Sequence, residues 1–278
     1  MRVLGIDKPV IGMLHLPPSP GVAGFPGLMA ALEALRAELQ VYLTAGVDAL
    51  LLENMHDFPC LPEREMGPEV PAYLARLAAA ARGMADELTG GTARPLPIGI
   101  QVLFAANRTA LAVALAAGLQ FVRAEGWTHA HISDKGFLDA QAGRVKRYQH
   151  AIGAEGIQIF ADIKKKHASH AITADLGIGE IAATLALHRA DAAIVTGALT
   201  GAAPDPADLA AVRAATSLPL LIGSGLTAEN LGDYFELADG FIVGTDFKRE
   251  GRWDAPVDAA RVRAFLARLG DLRRRAGA

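Results

Sequence analysis

Charged and polar side chains lie at the ends of several short apolar segments of the chain. Glu53 ends the run ALLLE, Asp162 lies near the end of QIFADI, and His15 and Thr196 end two others. A buried, unpaired charge is costly, so carboxylates in such places usually meet a cation, a metal or a ligand. Asp162 is therefore a candidate for the central acid–base or metal-binding group, with Glu53 as its partner. The alternative for each carboxylate is a structural ion pair.

A cationic segment follows Asp162. It contains Lys164, Lys165, Lys166 and His167, of which Lys166 and His167 are candidates to lie over a substrate. A solvated loop is the alternative for the lysine run. An imine-forming lysine needs a dry pocket and usually lies on the strand itself, so the position of these lysines beyond the strand end disfavours imine chemistry.

Two apolar runs near the C-terminus, PLLIGSG and GFIVGT, both stop at glycine. Free backbone N–H groups beside a helix N-terminus favour a bound phosphate. The predicted phosphate donors are Gly223, Ser224, Gly225, Gly244 and Thr245. Tight strand–helix turns are the alternative. Replacing Gly225 with valine is expected to weaken binding of a phosphorylated ligand while the protein stays folded.

A histidine pair, His129 and His131, could contribute to a metal site together with His15. Alternate residues on an extended segment point the same way, and imidazole suits zinc or iron. A chance placement on the surface is the alternative for this short pattern. The sequence thus allows a divalent metal ion but establishes no cofactor.

Short apolar runs alternate with longer Ala- and Leu-rich amphipathic stretches along the whole chain. The predicted strands cover residues 10–14, 47–53, 98–103, 121–125, 158–163, 192–196, 220–222 and 240–243. The predicted helices cover residues 28–44, 69–88, 108–117, 140–152, 174–188, 206–215, 228–235 and 257–274. Apolar strands that each precede a helix indicate a parallel sheet with helices on its outer side. The pattern predicts one (β/α)₈ barrel domain over residues 1–278, with chemistry at the C-terminal ends of the strands.

A doubly wound open sheet is the alternative fold, but no G-x-G-x-x-G motif follows the first strand. The chain has 278 residues, a net charge of −3 and a single cysteine. These features predict a cytoplasmic protein without nucleic-acid partners, and the apolar segments are too short for membrane insertion. The Ala- and Leu-rich outer helices predict a homo-oligomer, which a monomer mass in light scattering would contradict.

Several longer motifs occur together in this chain. They are IGMLHLPPSPG, AGVDALLLEN, FADIKKKH, VTGALTG, LIGSGLTAENL and ADGFIVGTDFKREGRW. In this order they resemble the BtpA/SgcQ family, and the resemblance covers nearly the whole chain. It implies a barrel similar to phosphate-binding (β/α)₈ enzymes. The family is named partly for a photosystem I biogenesis factor, and SgcQ-like members are associated with carbohydrate uptake.

The resemblance also implies site residues. The matching positions are His15, Glu53, Asn54, Asp57, Asp162, Lys166, His167, Thr196, Gly197, Gly223, Ser224, Gly225, Gly244 and Lys248. Asn54, Thr196 and Lys248 are thereby added to the candidate substrate- or phosphate-binding residues. The chain departs from the family pattern in the loop at residues 125–131 and at His56, so the resemblance does not carry over a particular substrate.

Two classes of function follow from these features. One is an enzyme that acts on a small phosphorylated metabolite, such as a sugar phosphate or a ribosyl phosphate, as an isomerase or lyase or by glycosidic cleavage. The other is a non-catalytic assembly or regulatory factor that uses the barrel as a scaffold. The polar strand ends favour the enzyme, because a scaffold has no need of them.

Overall fold

Eight parallel strands close into a barrel. The computed structural model describes residues 1–90, 95–197 and 201–277. The barrel strands are β1 (Val10–His15), β2 (Ala49–Glu53), β3 (Ile98–Gln101), β4 (Phe121–Ala124), β5 (Gln158–Ile163), β6 (Ala192–Val195), β7 (Leu220–Ile222) and β8 (Gly240–Val243). Each strand pairs with its neighbours in chain order, and β8 pairs with β1 to close the ring. The predicted (β/α)₈ barrel is confirmed.

Helices follow the strands and cover the outside of the barrel. They are α1 (Leu28–Ala45), α2 (Glu69–Leu88), α3 (Asn107–Ala117), α4 (Ala142–Ala151), α5 (Ile178–Leu187), α6 (Pro206–Ala215), α7 (Leu231–Tyr234) and α8 (Ala259–Ala276). Gly46 and Gly118 end α1 and α3 in the left-handed conformation, and Asp205 caps α6, as their residue types predict. Across the described helices, none is both long and apolar enough to cross a membrane.

The barrel interior changes character from bottom to top because successive strand residues alternate between inside and outside. Its lower layers are apolar and include a stacked pair, Phe121 and Phe160, with ring centroids 4.9 Å apart. Gly99 leaves room for this stack, since a Cβ there would lie 2.4 Å from the Phe121 ring. The next inward residues on β4 and β5 are Arg123 and Asp162. The apolar floor thus supports a charged upper layer.

The outward face of β1 packs closely against α1. Gly12 faces Tyr42, whose side chain is completely buried and whose hydroxyl donates to the Met13 carbonyl oxygen at 2.7 Å. A Cβ on Gly12 would lie 2.8 Å from the Tyr42 ring. The absence of a side chain at Gly12 therefore lets the ring lie directly on the strand.

We expect Gly12→Ala to lower the free energy of unfolding by about 1–3 kcal/mol, because the extra methyl must displace a ring that its hydrogen bond holds in place. Gly83→Ala is the matched control: Gly83 lies in α2, and a Cβ there meets nothing within 4 Å. This control should be stabilised by about 0.5–1 kcal/mol through helix propensity. Urea unfolding of both variants checks the difference, and equal stabilities would contradict this close packing.

Small sheets at both ends of the barrel were not anticipated. An antiparallel hairpin of Arg2–Val3 and Ile6–Asp7 lies at the N-terminus, and Val3 joins the interior apolar cluster. A three-stranded sheet of His131–Ser133, Gly136–Leu138 and Ala168–Ser169 joins the connections that follow β4 and β5. Its strands are two or three residues long, too short to leave an alternation pattern in the sequence.

Candidate active site at the C-terminal mouth of the barrel

A cavity of about 570 Å³ opens at the C-terminal ends of the strands. The predicted site residues that line it are His15, Glu53, Asp162, Lys166, His167, Thr196, Gly223, Ser224, Gly225, Gly244 and Thr245. Residues 198–200 of the VTGALTG motif lie outside the described residues. The fold thus brings strand ends that are distant in sequence into one concave site, of the size expected for a small-molecule ligand.

Asp162 is held by an arginine that the sequence analysis did not single out. Arg123 Nε donates to both carboxylate oxygens of Asp162, at 3.2 and 3.1 Å, and its Nη2 donates to Oδ1 at 3.0 Å. The Asp162 side chain is only 1% exposed. Burial raises the pKa of Asp162, and the adjacent Arg123 guanidinium opposes that rise. Asp162 therefore forms an ion pair with Arg123, while its carboxylate also lines the cavity.

Glu53 presents the more available carboxyl group. Burial raises its pKa, while Arg123 and Lys166 act in the opposite direction. Within the described residues its carboxyl oxygens accept no hydrogen bond, and His15 Nε2 lies 3.7 Å from Oε2. Because Glu53 lines the cavity, a bound molecule can reach this carboxyl group. A carboxyl group with a raised pKa and unused oxygens is suited to transfer protons near neutral pH.

His15 stays neutral beside Glu53. Its pKa is lowered to about 3, first by burial and then by the charge of Lys248. His15 Nδ1 lies 3.0 Å from the carbonyl oxygen of Trp253, which can only accept, so Nδ1 carries the proton and donates it. Nε2 then presents a lone pair toward Glu53 and the cavity. A neutral imidazole in this tautomer accepts a hydrogen bond from a protonated Glu53 or from a ligand.

A second ion pair lies next to the first. Lys165 Nζ donates to Glu125 Oε1 at 2.9 Å, and both side chains are buried. The Ala105 amide donates to the other oxygen of Glu125 at 3.0 Å. Burial raises the pKa of Glu125, but Lys165 and these hydrogen bonds outweigh burial and hold the pKa below its ordinary value. Glu125 is therefore an ionised structural partner of Lys165.

The cavity wall also includes the predicted phosphate loops. Within the described residues, the backbone N–H groups of Ser224, Gly225, Gly244 and Thr245 donate to no protein acceptor. The Gly223 N–H, in contrast, donates to the Val195 carbonyl oxygen at 2.8 Å as part of the barrel. The loop amides can therefore receive an anion, whereas the Gly223 amide cannot. Gly223 still matters, because a side chain there would enter the space between Ile194 and Arg123.

Helix dipoles contribute less to this region than the sequence indicates. The helix behind the β7 loop, α7, has four residues, and β8 leads into two short 3₁₀ turns, Thr245–Phe247 and Arg249–Gly251. Instead, Arg261 on the first turn of α8 reaches the cavity wall and donates to the Asp246 carboxylate at 2.6 Å. The guanidinium thus lies on the cavity wall that also includes the glycine loops, paired with the Asp246 carboxylate. An anion there would meet backbone donors and a cation together.

Gly225 does not tolerate the substitution that the sequence analysis considered. Its φ of +73° is in the left-handed region, and a Cβ would lie 2.0 Å from the backbone of Ala202. Gly225→Val would therefore displace the connection after β6, whose Ala202 carbonyl also accepts from Ser224 Oγ at 3.0 Å. A loss of ligand binding in that variant would report this displacement as well as any lost phosphate contact. Arg261 offers a cleaner test.

Two of the residues that the resemblance added to the site are fully engaged elsewhere. The Asn54 amide group donates to Asp57 at 2.9 Å and accepts from the Leu103 amide at 2.8 Å. Lys248 Nζ donates to both oxygens of Glu38 on α1, at 3.1 and 2.9 Å. Neither residue is among those that line the cavity. Both connect loops to the body of the barrel.

The three candidate metal-binding histidines do not meet. His15 lines the main cavity, whereas His129 and His131 border a separate void of about 10 Å³ that His170 also lines. The rings of His131 and His170 have centroids 5.0 Å apart. Among residues 1–90, 95–197 and 201–277, no group of three or more His, Cys, Asp and Glu side chains is arranged to hold a metal ion.

Arg123 and Arg261 are two of the cavity residues that sequence reasoning missed. Arg123 was open to detection, since it interrupts the apolar strand FVRA and shares a face with Phe121 and Glu125. Arg261 left no such signal, because its position depends on how α8 packs beside the β8 loop. Gln101 and Thr196 also border the cavity, and in the described structure Gln101 Oε1 and Thr196 Oγ1 are buried without a hydrogen-bond partner.

Solved structures with a similar fold include two proteins named for phosphorylated compounds. Thiamine phosphate pyrophosphorylase from Pyrococcus furiosus has a TM-score of 0.56 at 13% identity, over 95% of this chain and 96% of that chain. Phosphoribosyl anthranilate isomerase from Thermus thermophilus has a TM-score of 0.52 at 16% identity, over 96% of this chain and 100% of that chain. At these identities the likeness shows a shared fold.

Sequence relatives are much closer. A mitochondrial, uncharacterised protein of Caenorhabditis elegans is 39% identical, over 98% of this chain and 97% of its own length. The photosystem I biogenesis protein BtpA of Synechocystis is 32% identical, over 95% of this chain and 88% of its own length. The model of the BtpA family matches residues 6–270. The chain therefore belongs to the BtpA family.

Proposed function

We propose that this protein is an enzyme that binds a small phosphorylated metabolite and moves a proton on it by acid–base catalysis. The loop amides of Ser224, Gly225, Gly244 and Thr245, together with Arg261, hold the phosphate. Glu53 acts on the carbon skeleton, and His15 accepts a hydrogen bond beside it. The Arg123–Asp162 ion pair fixes the electrostatic environment of Glu53 rather than reacting itself.

The observation that carries this proposal is that one cavity combines two chemically different sets of groups. The loops after β7 and β8 offer uncommitted N–H groups that suit an anion, and Arg261, paired with Asp246, lines the same cavity. β2 ends in a carboxyl group with unused oxygens and a raised pKa. β1 lies between β8 and β2 in the barrel and places His15 beside both. A ligand bound by its phosphate at the loops can therefore present its remaining atoms to the carboxyl group. This combination fits a substrate better than it fits a passive scaffold.

The named activities of the similar structures are consistent with this proposal but do not select a reaction, because one barrel fold supports many chemistries. The photosystem I biogenesis name of the Synechocystis relative keeps the assembly-factor function as the rival. A cytoplasmic location and self-association remain predictions from the sequence. The two functions differ in one observable: an enzyme of this kind binds and converts a phosphorylated compound, and a scaffold does not.

A screen of matched compound pairs tests the proposal. Each phosphorylated metabolite, for example ribose 5-phosphate, is compared with its unphosphorylated counterpart in thermal unfolding of the purified protein. A ligand present at about 100 times its Kd should stabilise the fold by about 2.7 kcal/mol. Only the phosphorylated members should do so, and ³¹P NMR then follows conversion of those that bind. Equal responses from both members of every pair, or none, would refute phosphate recognition.

We expect Arg261→Gln to weaken binding of inorganic phosphate by about 10- to 100-fold, because a hydrogen bond to a charged group contributes about 1.5–3 kcal/mol. Isothermal titration measures this change. Arg252→Gln is the matched control, since Arg252 lies on the connection that precedes α8 and pairs with Asp254 on the surface. Its phosphate affinity should equal that of the wild type. Wild-type affinity in Arg261→Gln would place the anion elsewhere.

A further inference from the structure

The three consecutive lysines after β5 point to three different environments. Lys164 Nζ donates to the Leu176 carbonyl oxygen at 2.9 Å. Lys165 Nζ is buried against Glu125. Lys166 lines the cavity, and within the described residues its ammonium group forms no hydrogen bond or ion pair. The backbone turns before and after Lys165 and Lys166, because Lys164 and His167 both have left-handed φ values, 41° and 57°. These turns direct the three lysine side chains into different surroundings.

In the part of the chain that the structure describes, three lysines line the cavity: Lys165, Lys166 and Lys135. Lys135 Nζ donates to Asp134 at 2.7 Å. Lys166 is therefore the cavity amine whose nitrogen is not already shared with a protein acceptor. A nitrogen in this state can lose its proton to become a nucleophile without breaking a contact of the fold.

The surroundings of Lys166 favour the neutral amine chiefly through burial. Burial lowers the pKa of Lys166, and Arg123 lowers it further, although Glu53 and Asp162 oppose both effects. Desolvation next to another cation is a known way to activate a lysine as a nucleophile. The Glu53 carboxyl group also lies within electrostatic range, since the Lys166 charge lowers the pKa of Glu53. An amine and a proton donor thus line the same cavity, where both can reach one bound ligand.

We propose that Lys166 forms a covalent imine with an aldehyde or ketone group of the phosphorylated substrate. This inference rests on the proposed function and narrows its substrate class to phosphorylated carbonyl compounds. It also revises the expectation from sequence, which disfavoured an imine because Lys166 lies beyond the strand end. The structure gives this lysine the unshared, partly dry position that imine chemistry needs.

The chemistry balances with groups already present. The neutral Lys166 nitrogen attacks the carbonyl carbon, and one proton passes from the nitrogen to the former carbonyl oxygen to give a neutral carbinolamine. Protonated Glu53 donates a proton to that hydroxyl, which leaves as water while the nitrogen forms a double bond to carbon. The resulting carboxylate of Glu53 then accepts a proton from the carbon next to the iminium carbon. No oxidant or reductant is required.

Pyridoxal 5′-phosphate is a suitable probe, because it carries an aldehyde and a phosphate on one small ring. The protein is incubated with substoichiometric probe, the imine is reduced with borohydride, and the modified lysine is located by peptide mass spectrometry. We expect modification at Lys166 that inorganic phosphate suppresses. Lys166→Arg should lose at least about nine-tenths of the label, whereas Lys135→Arg should keep it; label on other lysines alone, or unchanged label in Lys166→Arg, would overturn the proposal.

Two further arms separate this inference from the proposed function. If the probe raises the unfolding temperature and phosphate displaces it, but no reduced adduct forms at Lys166, imine formation is refuted and phosphate binding stands. If pyridoxal without the phosphate labels Lys166 as fast as the phosphorylated probe, and phosphate does not protect, the imine stands and the phosphate site fails. The expected result is at least about 10-fold slower labelling by pyridoxal, the loss that corresponds to one charge-assisted contact.

Discussion

Glu53→Gln is expected to lower turnover of the phosphorylated substrate by about 10²- to 10⁴-fold while leaving its affinity nearly unchanged. The substitution keeps the shape of the side chain and removes its ability to exchange a proton. Because no protein group donates a hydrogen bond to the Glu53 carboxyl group within the described residues, glutamine breaks no side-chain hydrogen bond there. Steady-state kinetics on the compound that the paired screen identifies measures the effect.

The Glu53→Gln substitution should raise the free energy of unfolding while it lowers turnover. Burial raises the pKa of Glu53 above the ordinary value of 4.5, so ionised Glu53 destabilises the folded state. A raised carboxyl pKa means that the folded protein binds the proton more tightly than the unfolded chain. The wild type therefore loses stability relative to Glu53→Gln as pH rises from the pKa of Glu53 in the unfolded chain to its higher pKa in the folded protein. We expect the variant to be as stable as the wild type near pH 4.5 and more stable near pH 8.

The control for this prediction is Glu65→Gln. Glu65 lies on the connection between β2, which Glu53 ends, and α2; it is exposed and pairs with Arg64. Its turnover and pH-dependent stability should match those of the wild type. Glu53→Gln with wild-type turnover would remove Glu53 from the chemistry. A variant that loses both turnover and stability would indicate a structural role instead.

The strands could be predicted well because their sequence pattern follows from burial on both faces. β5, β7 and β8 have the predicted bounds, and other strands differ only at their ends, as at β2, which begins at Ala49 rather than at residue 47. The predicted helix 228–235 shortens to α7, Leu231–Tyr234. Thr227 and Asn230 bond to each other in a turn there, so local side-chain contacts replace part of the helix.

The sequence predicts where the candidate site lies, but it does not predict which of the charged side chains there pair with each other. Strand ends must meet at the mouth of a barrel, so Glu53, Asp162 and the glycine loops were identifiable from their places in the sequence. Which carboxylate remains available depends on a contact between neighbouring strands, the reach of Arg123 to Asp162. Which lysine remains available depends on backbone angles that sequence alternation does not encode. These tertiary contacts decide the roles of residues that the sequence alone leaves equivalent.

The Arg123–Asp162 pair is expected to behave as a buried structural ion pair. Removing one partner leaves the other charge buried without compensation, which typically costs about 3–5 kcal/mol. We therefore expect Arg123→Met and Asp162→Asn each to lower the free energy of unfolding by about this amount. Asp162→Asn consequently does not separate chemistry from packing, because any loss of turnover would be accompanied by a loss of stability.

A double-mutant cycle distinguishes this pairing from two independent effects. The Arg123→Met/Asp162→Asn protein lacks both charges, so its loss of stability should be well below the sum of the two single losses.

Arg64→Met is the surface control: the Arg64–Glu65 distance, 2.9 Å, resembles the 3.0 Å of Arg123–Asp162, but both surface side chains are exposed. Its cost should stay below about 1 kcal/mol. Urea unfolding followed by fluorescence and circular dichroism, with coincident transitions, provides the free energies. Additive losses in the cycle would mean that Asp162 does not depend on Arg123, and Asp162 would again be the leading candidate for the reactive base.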